Sequence, residues 1–185
     1  MKKSGFTLIE LLLVVAIIGI LIGILLPTVV GVTQESKEKK AKGDIRTLVA
    51  AIEQYYIKRG VYPSNKTGAQ ADDDGTTTNG FLETKLLGED PRLVNEVPSD
   101  PFEKREDSAT NKPYKYKYSV NNWDGGNQTG RPTYVIWSVG PKGCSGASVN
   151  VGDDKIEWSG LGNATTPEEA GIIYYTNAKT TSVTP

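Results

Sequence analysis

No histidine occurs in this 185-residue chain, which removes the commonest general base, metal ligand and physiological-pH switch. A single cysteine, Cys144, excludes an intrachain disulfide and any cysteine-rich metal site. Charge of one sign is not in excess either. The 21 basic and 22 acidic residues give a formal net charge of -1, so no global positive field exists to hold a polyanion, and nucleic acid is not an expected partner. Most hydrolase constellations are excluded on these counts. With 37% hydrophobic and 23% charged residues, the balance is still that of about one folded domain.

One long apolar run is present. Phe6 to Leu26 is a 21-residue stretch interrupted only by Thr7, Glu10 and two glycines. At about 1.5 Å rise per residue it reaches roughly 30 Å, the hydrocarbon thickness of a bilayer, and predicts a transmembrane helix. Lys2 and Lys3 precede it and mixed charge begins only at Glu35, which places Met1 in the cytoplasm and the remainder outside. The run is too long for the apolar core of a cleaved secretory signal. Glu10 lies inside it, where a charge costs on the order of 2.5 to 3.5 kcal/mol at mid-span and less near the interface. It either snorkels to the headgroups or meets a cation, and no basic side chain lies within the span.

Pro27 follows directly and predicts a kink or local opening. Helical pattern then resumes: Ala41, Ile45, Leu48, Val49, Ile52 and Tyr56 recur at spacings of three and four between Thr33 and Arg59. Gly60 is the expected C-cap, and Pro63 forbids continuation. Together these predict a helix of about 54 residues whose apolar half needs either a membrane or identical neighbours to cover it.

Beyond Pro63, Ala69 to Asn79 reads as a surface loop whose three aspartates lack EF-hand spacing and form a solvated acidic turn. Phe81 to Leu87 reads as a short helical turn. Tyr114 to Tyr118 alternates tyrosine with lysine, and Tyr134 to Val139 is a run of β-formers, so the two predict a hairpin across the turn cluster at Asn121 to Pro132. The tyrosine ladder fits a half-buried strand better than a stacking platform for single-stranded nucleic acid. Ile156 to Trp158 and Ile172 to Tyr175 are further strand candidates.

The string Lys2-Lys3-Ser4-Gly5 followed by Phe6-Thr7-Leu8-Ile9-Glu10 resembles the class III signal of type IV prepilins and type II secretion pseudopilins. The resemblance implies cleavage after Gly5 by a prepilin peptidase and N-methylation of Phe6. It also implies that Glu10 meets the terminal amine of a neighbouring subunit during filament growth. Gly60-Val61-Tyr62-Pro63, Val97-Pro98-Ser99-Asp100-Pro101-Phe102, Pro113-Tyr114-Lys115-Tyr116 and Ile136-Trp137-Ser138-Val139-Gly140, in this order, resemble the major G-type pseudopilin of type II secretion. The implied fold is α+β, the pilin fold: a long N-terminal helix packed on a small antiparallel sheet. Its parts would be a leader at 1–5, a transmembrane and assembly helix at 6–26 that includes Glu10 and ends at Pro27, an amphipathic continuation at 27–60, and a periplasmic domain at 61–185.

The same resemblance implies calcium in the loop after the Trp-Ser strand, bound by the Val139 carbonyl and by Asp153 and Asp154. Lys142 stands where that family carries an acidic ligand, Cys144 lies in the same loop, and Ser159 to Pro185 extends past the usual end. The implied function is structural: a pseudopilus subunit that polymerises from the bacterial inner membrane to drive protein export. Its implied partners are copies of itself, minor pseudopilins, the prepilin peptidase and the inner-membrane assembly platform. A type IV pilin of a surface fibre is the alternative, although such pilins often staple their last loop with a disulfide that Cys144 alone excludes. A membrane-anchored enzyme using Asp153 and Asp154, with Asp100 or Glu157, is the reading from another class. Adjacent residues on a strand point to opposite faces, which suits it poorly.

Overall fold

A computed structural model describes residues 6–65, 70–73, 80–106, 113–121, 132–144, 146–152 and 154–184. The predicted long helix is one element, α1 (Leu8–Arg59), which runs through Pro27 without interruption. It ends where the sequence says it must: Gly60 has φ +75°, and its N–H donates to the Tyr56 carbonyl at 2.7 Å. Only glycine takes that left-handed position without strain.

The chain forms two compact units, Met1–Ser36 and Lys37–Pro185. In the first, α1 carries leucine, isoleucine and valine around its whole circumference, exposed from Leu8 through Ile24. Among the described residues no helix is long and apolar enough to cross a membrane, so the span over 6–26 rests on the sequence.

In the second unit the remaining elements are β1 (Gln70–Asp73), α2 (Phe81–Leu87), β2 (Lys117–Asn121), β3 (Thr133–Ser138), β4 (Ser148–Val151), β5 (Lys155–Ser159), β6 (Ile173–Thr176) and β7 (Thr180–Val183). Two sheets result. The first has the order β1-β2-β3-β6, all antiparallel, and the second has the order β4-β5-β7, in which β5 and β7 run parallel.

Strand β3 explains the layering. All six of its residues are buried, and its two faces enter different cores. Tyr134 and Ile136 join Ala41, Ile45, Leu48 and Ile52 of α1 in one cluster with Tyr116, Tyr118 and Val120. Val135 and Trp137 join Val149, Val151, Ile156 and Trp158 of the second sheet in the other. Burial on both faces is why the strand reads as a continuous run of β-formers rather than an alternation. The helix stripe predicted from spacing is thus the helix face of the first core.

Three expectations need correction. Gln70–Asp73 is a strand, paired with β2 from Gln70↔Asn121 to Asp73↔Tyr118, not part of a surface loop. Asp73 is 3% exposed rather than solvated, and its carboxylate accepts the Leu82 N–H at 2.7 Å, capping α2 from outside the helix. The tyrosine-lysine run enters the sheet only at Lys117, because Lys115 bridges instead to Ser99. The rest of the predicted loop, at 74–79, and the hairpin turn at 122–131 lie outside the described residues.

Candidate functional site

The start of α1 is built from one local sequence. The Thr7 N–H donates to Glu10 Oε2 at 2.8 Å, the Thr7 hydroxyl donates to the same oxygen at 2.7 Å, and the Glu10 N–H returns a 3.4 Å bond to Thr7 Oγ1. This reciprocal pattern is a capping box, which satisfies donors that the first helical turn would leave without partners. The sequence reading gave Thr7 no role. The signal was available in the four-residue spacing Thr7-Leu8-Ile9-Glu10 ahead of an apolar run. Glu10 is therefore held by its own chain, one turn from Phe6, which is 87% exposed. Gly5, on the other side of the expected cleavage point, lies outside the described residues.

The second site is the loop after β3. Val139 is buried; its N–H donates to Asp100 Oδ2 at 2.8 Å and its carbonyl accepts the Cys144 N–H at 3.1 Å. Asp100 also accepts the Ser138 hydroxyl at 2.7 Å and the Phe102 N–H at 3.0 Å. Burial pushes the Asp100 carboxyl above its ordinary range, against these three donors, which pull it down. Asp100 thus holds the Pro98-to-Pro101 segment to the end of β3, a role that its place in a proline-rich loop did not reveal.

Asp154 is elsewhere. Its N–H donates to Thr133 Oγ1 at 3.0 Å, its carbonyl accepts the Lys179 and Thr180 N–H groups, and its carboxylate pairs with the Lys179 ammonium at 3.1 Å. Thr133 opens β3 and Val139 follows its end, a separation of roughly 20 Å at about 3.3 Å per residue. Calcium ligands lie 2.3 to 2.6 Å from the ion, so the Val139 carbonyl and Asp154 do not serve one site. Asp153 lies outside the described residues. Among the described residues no group of three or more acidic or cysteine side chains is placed to hold a metal ion.

The residues weighed for catalysis or base stacking are also engaged. Glu157 pairs with Lys155 at 2.8 Å, and Tyr116 and Tyr118 are 1% and 0% exposed, which leaves neither ring a face for a base.

Comparison with known proteins agrees with this geometry. The family profile "Type II secretion system (T2SS), protein G" matches residues 28–155, and the profile "Prokaryotic N-terminal methylation motif" matches residues 1–26. The chain is 32% identical to the type II secretion system core protein G of Pseudomonas aeruginosa over 82% of its own length and 93% of the relative's. It is 28% identical to the protein of the same name from Pectobacterium carotovorum over 84% and 87%, and 32% identical to that of Vibrio cholerae over 55% and 66%. No solved structure matches the chain. An N-terminal methylation motif, a long helix closed by Gly60, a small sheet laid across that helix and the protein G profile over most of the chain agree: this protein belongs to the type II secretion system protein G family, the major pseudopilins.

Proposed function

We propose that this chain is the polymerising subunit of a type II secretion pseudopilus, with its N-terminus in the cytoplasm, one pass through the inner membrane over 6–26 and its folded domain in the periplasm. A prepilin peptidase cleaves after Gly5 and Phe6 becomes the methylated terminus. The observation that carries the reading is the Thr7–Glu10 capping box beside Phe6, at the head of an apolar helix that its own chain leaves exposed.

Within a bilayer, Glu10 without partners would cost on the order of 2.5 to 3.5 kcal/mol at depth, and the two Thr7 bonds reduce that cost while the subunit waits. The terminal ammonium of a neighbouring Phe6 is a stronger, charge-assisted donor. Exchange of one partner for the other favours a neighbour in correct axial register and penalises one displaced along the helix, where the carboxylate would face hydrocarbon. Apolar side chains from Leu8 to Ile24 then pack on identical rods in a helical, heterologous array. The role is assembly rather than catalysis. Minor pseudopilins and the inner-membrane assembly platform complete the machinery, and push of the growing filament drives export.

The test is made on the full chain in the inner membrane of cells that carry a prepilin peptidase, minor pseudopilins and a type II secretion assembly platform. The expected result is loss of Met1–Gly5 and gain of one methyl by mass, with filaments recovered from wild type and absent for Glu10→Ala, which is still processed. Processing without any filament from wild type overturns the reading.

A further inference from the structure

The calcium ion that the family resemblance implies has no common site in the described donors, yet the loop after β3 is firmly held. We infer that in this chain the C-terminal extension takes the place of a divalent cation, so that the domain folds independently of calcium.

The contact is backbone on backbone. Gly140 has φ +69°, and a Cβ there would lie 1.6 Å from the Gly171 carbonyl oxygen, so the turn at residues 165–171 rests directly on the loop with no room for a side chain. Gly171 has φ +79°, and a Cβ there would lie 2.9 Å from Lys142 Cγ. The Lys142 stem therefore crosses Gly171, and its ammonium donates to the Glu169 carbonyl. A cation is thus supplied to a backbone oxygen by a side chain, at the position where the resembled family carries a carboxylate for a metal.

The turn is braced to receive it. Thr165 donates its N–H and hydroxyl to the Glu169 carboxylate at 2.9 and 2.7 Å, and the Ile172 N–H donates to the Pro167 carbonyl at 2.9 Å. The two Thr165 bonds, with the Lys142 charge nearby, hold the Glu169 carboxyl below its ordinary range. The protein G profile ends at residue 155, so the whole turn lies beyond the part of the chain that the profile matches. Lys142 is solvent-exposed, and an exposed ammonium contributes little by itself. The Gly140–Gly171 approach and the Asp100 bond to Val139 act on the same loop.

The test uses the full chain in detergent micelles, melted in calcium and in excess EGTA and read by tryptophan fluorescence. The expected result is one midpoint in both conditions, with no calcium retained in equilibrium dialysis. Gly140→Ala is expected to lower the midpoint by several degrees and Lys142→Met by less, and calcium restores neither. A calcium-dependent rise in the wild type, one calcium retained per chain, or rescue of either variant by calcium overturns the inference. So does an unchanged midpoint in both variants. If Gly140→Ala does not fold, Lys142→Met and wild-type dialysis decide. Filament assembly enters none of these readouts, so failure here leaves the subunit reading standing.

Discussion

The phenol of Tyr134 in β3 donates a 2.8 Å hydrogen bond to Glu53 of α1, 81 residues away in sequence. Around it, Tyr62 stacks on Tyr56 with ring centroids 4.4 Å apart, lies 4.6 Å from Tyr134 and donates to Glu53 at 3.4 Å. Asn177, just past β6, donates to the Tyr62 hydroxyl at 3.1 Å and accepts the Tyr134 N–H at 2.8 Å. One carboxylate and one carboxamide thereby join the helix, the central strand and the C-terminal segment. Burial, then the Glu53 carboxylate, drives the Tyr134 phenol far above its ordinary value, so it remains a donor at any working pH.

Removing that donor leaves a half-buried carboxylate short of a partner. Tyr134→Phe is expected to cost about 1–3 kcal/mol, measured by urea unfolding of the full chain in micelles. In a double-mutant cycle with Glu53→Ala, the two losses should fall short of additive. Strict additivity would mean that the bond is not formed.

Asp73 caps α2 from β1, so Asp73→Ala is expected to cost about 0.5–2 kcal/mol. Amide exchange in residues 81–84 should rise more than exchange in β3. A uniform rise across both would show that the residue acts on the sheet instead.

Acid should act at the end of α1. Lys58 and Arg59 contact Glu89 at 2.9 and 2.8 Å and hold its carboxyl below the usual 4.5. A carboxyl whose folded pKa is depressed adds stability that is complete above its ordinary range and is lost as pH falls through the folded value. The melting temperature should therefore decline below about pH 4.5, and Glu89→Gln should flatten that part of the profile while lowering the plateau above it. An identical acid slope in wild type and variant would remove Glu89 from the account.

Thr7→Val keeps the shape of the side chain but removes the hydroxyl from the capping box, leaving the backbone bond to Glu10 in place. Processing after Gly5 should continue, while the yield of filament should change by less than in Glu10→Ala, because Glu10 retains its charge for the neighbour. Equal loss in both variants, read by sedimentation of sheared filaments, would make Thr7 as necessary to assembly as Glu10.

Much of this architecture was legible because its signals are local. The Gly60 cap, the apolar stripe from Ala41 to Tyr56 and the helical turn over Phe81–Leu87 each depend on residues a few positions apart. Strands β1, β4 and β7 were not legible. Gln70-Ala71-Asp72-Asp73 has turn composition and becomes a strand only by pairing with β2, about fifty residues on. The alternating Ser148–Val151 and the threonine-rich Thr180–Val183 take their extended form from β5 between them. At the candidate sites, the residue types at Phe6, Glu10, Val139 and Asp154 were read from motifs. That Val139 and Asp154 sit at opposite ends of β3 is a fact of register, which no motif encodes.

The pairing of β3 with β6 also sets a timetable. A strand near the middle of the first sheet acquires its last neighbour from residues 173–176, and the second sheet gains its parallel strand only at 180–183. Synthesis runs from the N-terminus, so the N-terminal helix is complete while more than a hundred residues are still to come. The first sheet cannot close until residues 173–176 have been made, nor the second until residues 180–183 have. A ribosome stalled before residue 173 would leave a subunit with an open β3 edge, a substrate for quality control rather than for assembly.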